Sequence, residues 1–284
     1  MGKWIALSLL GVGLAVAAAL AGGSSPRSGG GTGLDDYFLD ATTRRYALPE
    51  RVRELSGLAL SRDGRLFGHD DERAVIYEIG SEGQLRKAFA FGDPIVKGDF
   101  EGIAIAGDRF YLVTSKGVVY EGGEGADGDR LPFESTEVDV DKGCDVEGLA
   151  YEEATDALLL ACKEPKGKKK KARVRIHRWS LKERAAHPAS PLEIPLASLD
   201  AGKKSESFHP SGIEVHPESG HYFLVSAQAI AIAEVTPEGE VVAVRRLVKG
   251  VHKRVEGITF ATSLAIVLAD EGGRGQARVT VYPR

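Results

Sequence analysis

The chain lacks three short signatures of common catalytic sites. It has no Gly-x-Ser-x-Gly elbow, no His-Glu-x-x-His and no P-loop, so nucleophilic catalysis by a recognisable triad is not indicated. Net charge is only −4 over 284 residues, too mild to point to nucleic acid or an acidic partner. Basic stretches show no interleaved aromatics, which also argues against a nucleic-acid surface. Beyond the first 21 residues no helical periodicity of useful length occurs. Cysteine is scarce, with Cys144 and Cys162 alone. The pair suits a disulfide in an exported protein, and two packed thiols are the alternative.

What is present begins with a leader. Lys3 precedes an apolar run from Trp4 to Ala21, and Ala19-Leu20-Ala21 reads as a small-x-small cleavage site. Residues 1–21 are therefore expected to be a signal peptide, with an uncleaved membrane anchor as the alternative. Residues 22–33 form a Gly/Ser linker with no means of burying a face. The folded domain is expected over 34–284, exported to the periplasm or outside the cell.

Five segments repeat across that domain: Leu55 to Leu60, Phe100 to Ile105, Val146 to Tyr151, Pro210 to Val215 and Val255 to Phe260. Each contains Ser-Gly or Glu-Gly followed by aliphatic residues. The glycines 57, 102, 148, 212 and 257 are spaced by 45, 46, 64 and 45 residues. A period in the forties with strand-like content fits a four-stranded propeller blade. The last unit runs out after three strands. Thr43 to Leu48 reads as the strand that completes it, which closes the ring and removes exposed edges. The expected fold is an all-β, five-bladed propeller. Each motif glycine is read as the point where the chain enters the crowded innermost strand.

The residue before each glycine is Ser56, Glu101, Glu147, Ser211 and Glu256. Three carboxylates at the mouth of a narrow ring repel one another unless compensated. A divalent cation in an oxygen shell, Ca²⁺ or Mg²⁺ rather than Zn²⁺, would resolve this. So would a neighbouring Lys or Arg, or backbone N–H donors. The second strands end on the same face with Asp71, Glu164, Gln228 and Glu271 near their termini, a second polar set around the mouth. His69 and His209 lie close by. Lys168 to Lys171 mark a hairpin loop that is either a solvated tip or an anion-recruiting arm.

The segments ELSGLAL, DFEGIAI, DVEGLAY, FHPSGIEV and VEGITF, with ADEGG near the end, resemble the SdiA-regulated family of exported bacterial propellers. The likeness implies NHL-type repeats and calcium binding, and brings no assigned reaction. A weaker likeness is to esterase-like phytases and gluconolactonase-type propellers, where acidic residues at strand starts hold a divalent metal. It implies Glu101, Glu147 and Glu256 as ligands, although Ser56 and Ser211 leave the acidic ring incomplete. The expected function is a cell-envelope module that binds a calcium-like ion and a small polar or anionic ligand, or an envelope protein. A metal-dependent hydrolase of a phosphoester or lactone, with Glu164 or Glu271 as base, is the first alternative. A protein-interaction scaffold is the second.

Overall fold

Continuous apolar runs such as Leu158-Leu159-Leu160-Ala161 mark strands buried on both faces, and the computed structural model shows why these runs recur. It describes residues 33–37, 39, 44–141, 143–163, 173–188, 190–199 and 208–284. The expected leader, most of the linker, Thr43, Glu164 and the Lys168–Lys171 run lie outside these residues.

Five sheets form, each carrying one copy of the repeat as its inner strand, and antiparallel except where the short strand Arg130–Leu131 pairs in parallel with Leu85–Phe91 of blade one. Blade one comprises Leu55–Leu60, Leu66–Asp70, Val75–Ile79 and Leu85–Phe91. Blade two comprises Phe100–Ala106, Arg109–Thr114, Val118–Gly122 and Phe133–Glu137. Blade three has Asp145–Glu152, Ala157–Lys163 and Arg173–Ser180, with two short outer segments at Ala185–Ala186 and Leu192–Pro195. Gly212–Val215, Tyr222–Ser226, Ala231–Val235 and Val241–Arg246 make blade four. Blade five contributes Val255–Phe260, Ile266–Asp270 and Arg278–Tyr282, and its fourth strand is Arg44–Ala47. Tyr46 pairs with Val279 in that closing ladder. Among the described residues no α-helix occurs.

The core is divided into five clusters, one at each blade-to-blade contact. Phe67 and Phe89 of blade one meet Phe110 and Leu112 of blade two. Val113 of blade two meets Leu158 and Leu160 of blade three. Their chain neighbours Leu159 and Ala161 point the other way, against Leu224 and Ala233 of blade four. Phe223 and Ile232 then pack on Ile258 and Leu268 of blade five, and Val267 and Val279 return to Leu55 and Tyr77 of blade one. Alternate residues of one strand thus serve two different interfaces. The ring closes through side chains as well as through the last sheet.

The motif glycines occupy the narrowest part of that ring. A Cβ on Gly102 would sit 2.5 Å from the Leu149 backbone nitrogen, and one on Gly148 would sit 3.0 Å from the Gly212 Cα. On Gly212 it would meet the Glu256 carbonyl oxygen at 2.7 Å, and on Gly257 the Gly57 carbonyl carbon at 3.1 Å. Each glycine therefore abuts the motif of the next blade. The space left on the axis is about 10 Å³, roughly one water.

Candidate functional site

Above this constriction four of the five inner strands share an irregularity. The ladder shifts register between Leu55 and Gly57, Phe100 and Gly102, Val146 and Leu149, and Val255 and Gly257. These β-bulges fall on Ser56, Glu101, Glu147 with Gly148, and Glu256. A bulge leaves its extra residue out of the ladder and re-aims its side chain. That is how an acidic residue can stand next to the packing glycine without entering an inter-blade core.

Glu101 and Glu256 both line the axial constriction. Burial is the main influence on Glu101, followed by the fields of Glu147, Asp99 and Glu256; together they push its carboxyl up to about 9. Glu256 is raised by burial first and then by Glu271, with Glu147 and Asp71 adding to the effect. Glu147 is raised by burial and pulled back by Lys163, whose Nζ donates to its Oε1 at 2.6 Å. The three carboxylates therefore feel one another across one mouth. Their compensation is unequal: Glu147 has Lys163, whereas Glu101 has no hydrogen bond or ion pair with any described residue.

The remaining expected residues divide into site and brace. Asp71 belongs to the site: burial, then Glu54 and Asp70, raise it to about 6, and its Oδ1 is buried with no hydrogen-bond partner. Glu271 raises Glu256 through its charge and pairs with Arg254. Ser211 is a brace: its hydroxyl donates to the Val255 carbonyl at 2.6 Å and accepts from the Ala227 N–H at 2.9 Å, tying blade four to blade five. Ser56 is buried and Gln228 is exposed. The acids that end two second strands are braces as well. Asp70 accepts from Arg73 at 2.7 Å and from Tyr77 at 2.8 Å, and Asp270 contacts His252 Nδ1 at 2.7 Å. His69 is fully buried behind Gly57, and burial lowers it to about 4.

A second ring escapes the sequence reading. Three residues before each motif glycine stand Glu54, Asp99, Asp145, His209 and Arg254. Glu54, Asp99 and Asp145 each raise one or more of the site carboxyls, and Asp99 is held by Ser115 Oγ at 2.6 Å. Their signal lies in the aligned repeat, two columns to the left of the Ser/Glu position. Nearby, Cys144 and Cys162 form a disulfide across 18 residues with a Cα–Cα distance of 5.2 Å, fixing the hairpin that carries Lys163.

The donor set suits a hard cation. All candidate ligands are carboxylate oxygens, one of them an orphaned buried atom. Among the described residues, no three carboxylates bring an oxygen each within 4.8 Å of one another, so an ion would draw in side chains that now stand apart. Glu101, Glu256 and Asp71 would hold it, with Glu147 and Glu271 as further donors. A bound ion would supply a concentrated positive charge that polarises an oxygen of a ligand at the open mouth.

Comparison with known structures places the fold among propellers. Glutaminyl cyclase from Myxococcus xanthus is 15% identical, with a TM-score of 0.55 over 84% of this chain and 93% of that one. Virginiamycin B lyase from Staphylococcus aureus is 11% identical, with a TM-score of 0.45 over 85% and 88% of the two chains. A gluconolactonase from Xanthomonas campestris is 13% identical, with a TM-score of 0.46 over 81% and 72%. At 15% identity the glutaminyl cyclase shares the fold alone. No curated protein sequence matches the chain. The family profile described as SdiA-regulated matches residues 34–272, from the first described hydrophobic anchor, Leu34, to the Gly272 that follows Glu271. The chain belongs to the SdiA-regulated family.

Proposed function

We propose that this propeller is an exported envelope module that binds a divalent cation, Ca²⁺ by its donor chemistry, in the carboxylate-lined mouth, and that the ion receives a small polar or anionic ligand. The observation that carries this reading is the state of Glu101. It is a largely desolvated carboxyl, repelled by Glu147, Asp99 and Glu256; the Lys163 charge reaches it, but that ammonium is held by Glu147, and no cation among the described residues hydrogen-bonds or ion-pairs with Glu101. Such a group either keeps its proton or takes a cation. The unpartnered Asp71 Oδ1 and the bulges that turn the acids toward one axis support the cation. Export rests on the leader of residues 1–21 and fits the disulfide between Cys144 and Cys162.

Titration calorimetry of Ca²⁺ into chelator-treated protein tests the reading. A saturable heat with a rise in melting temperature is expected, and both should be lost in Glu101→Gln. Absence of heat and of any melting shift in the wild-type protein would refute it.

A further inference from the structure

Below the glycine constriction the axial channel opens again into a cavity of about 1330 Å³ on the opposite face, large enough for a small organic ligand. Its inner layer is formed by the residue two places after each motif glycine: Ala59, Ala104, Ala150, Glu214 and Thr259. Three blades place alanine there. Blade four places a carboxylate in a position where packing needs only a small apolar residue.

Glu214 is half-buried. Its Oε1 accepts from the Val215 N–H at 2.8 Å and its Oε2 accepts from Thr259 Oγ1 at 3.0 Å. Both partners are neutral, and no described Lys, Arg or His pairs with it. The other deep charges in the cavity are mutually engaged: Arg178 lies 3.6 Å from Glu152, and both bind the Tyr222 hydroxyl. Arg178 also donates to the Pro237 carbonyl at 2.6 Å. Burial raises the Glu214 carboxyl to about 7, against the pull of its two hydrogen bonds. A half-buried, oriented carboxylate beside alanine and aliphatic walls is costly to maintain without a counter-charge.

We propose that this cavity binds an organic cation, with a primary ammonium head on Glu214 and an apolar body against the alanine layer and the Ile105 and Val215 side chains. A single carboxylate gives a poor shell for a metal ion, which needs six or more oxygens for Ca²⁺. An ammonium needs only one good acceptor together with apolar cover for its chain. The role of Glu214 as a mere strut between blades four and five would be met equally by glutamine, whose amide oxygen can accept from the Val215 N–H while its NH2 donates to Thr259 Oγ1. Charge is what separates the two accounts.

The test uses the full chain and n-butylammonium as probe, with n-butanol as the neutral comparison. Calorimetry and methyl NMR should give saturable butylammonium binding that perturbs Ile105 and Val215, and butanol should not reproduce it. Glu214→Gln should weaken the ammonium at least about tenfold and leave Ca²⁺ uptake at the carboxylate mouth unchanged. That second readout separates failure here from failure of the calcium site. Equal affinity in wild type and Glu214→Gln would overturn the proposal. So would the lack of any saturable shift up to about 20 mM, a limit near the weak end for one ion pair with a short alkyl chain. If the variant does not fold, the wild-type contrast between ammonium and alcohol at the two methyl positions decides the matter alone.

Discussion

Lys163 donates to Glu147 at 2.6 Å, so one acid of the axial mouth carries its own cation while Glu101 carries none. The ammonium occupies the oxygen that Glu147 would otherwise offer a bound ion, and its charge would repel that ion. Replacing it should therefore help. Lys163→Met is expected to tighten Ca²⁺ by about tenfold, or 1.4 kcal/mol, in calorimetric titration, while lowering the melting temperature of the metal-free protein. Unchanged or weaker Ca²⁺ binding would show that the pair is part of the receiving geometry and not a competitor.

The pH dependence of the metal-free protein should carry the mark of Glu101. Folded, this carboxyl keeps its proton up to about 9; unfolded, it releases it near the ordinary value of about 4.3. Between those limits the folded state binds more protons, so its stability falls as pH rises, and the effect vanishes below the lower limit. Asp71, raised to about 6, acts with the same sign over a shorter window. His69, lowered to about 4, acts oppositely below about 6.5, because the unfolded imidazole takes up a proton first. Subtracting one protein from another isolates the acid. In chelator, scanning calorimetry of wild type should show melting falling from pH 5 to pH 9, and Glu101→Gln should melt higher at pH 8 by roughly 2–4 °C per kcal/mol relieved. Parallel curves for the two proteins would remove Glu101 from the account.

The repeat was legible because each blade solves one packing problem with the same residues. Glycine is required where a Cβ would strike the next blade, and aliphatic residues are required where two blades meet. The closing strand was legible because an incomplete last unit and an orphan strand near the start must find each other. Less was visible where a blade departs from the pattern. The fourth strand of blade two, Phe133–Glu137, is separated from the third by a Gly-rich segment that lends Arg130–Leu131 to blade one, and it is largely exposed, so it carries no alternating apolar signal. The bulges also leave no trace in composition. Glu101 was readable as an oddity, but the reason it can sit beside glycine is a register shift that only the ladder displays. Glu214 was in plain view within the motif, and comparing the five motifs column by column would have singled it out against three alanines.

The glycine ring predicts sharp sensitivity at positions that look interchangeable by composition. Gly102→Ala places a Cβ 2.5 Å from the Leu149 backbone nitrogen, and backbone atoms cannot swing away as a side chain can. Blade two must shift relative to blade three, and the cost should exceed about 3 kcal/mol. Gly250 has open space around its Cβ position, so Gly250→Ala should be close to neutral. Denaturant melts of the two variants provide the comparison. Similar midpoints for both would mean that the inner strands are not held at the close approach described.

The disulfide tests how far the mouth depends on its hairpin. Cys144 lies just before the inner strand of blade three and Cys162 lies in the second strand, beside Lys163. Closing an 18-residue separation restricts the unfolded chain by about 3 kcal/mol in the loop-entropy account. The native ladder already pairs Val146 with Cys162, so the folded hairpin should keep its register when the bond is absent. The double change Cys144→Ser with Cys162→Ser is therefore expected to lower the melting temperature by roughly 6–12 °C for a domain of this size, with the five-bladed structure retained. Ca²⁺ binding by the variant, measured well below its new melting point, should stay within about threefold of wild type, since Glu101, Glu256 and Asp71 stand on other blades. A loss of binding far beyond that, in a protein whose circular dichroism is unchanged, would move the centre of the site from the axis to the Lys163 hairpin.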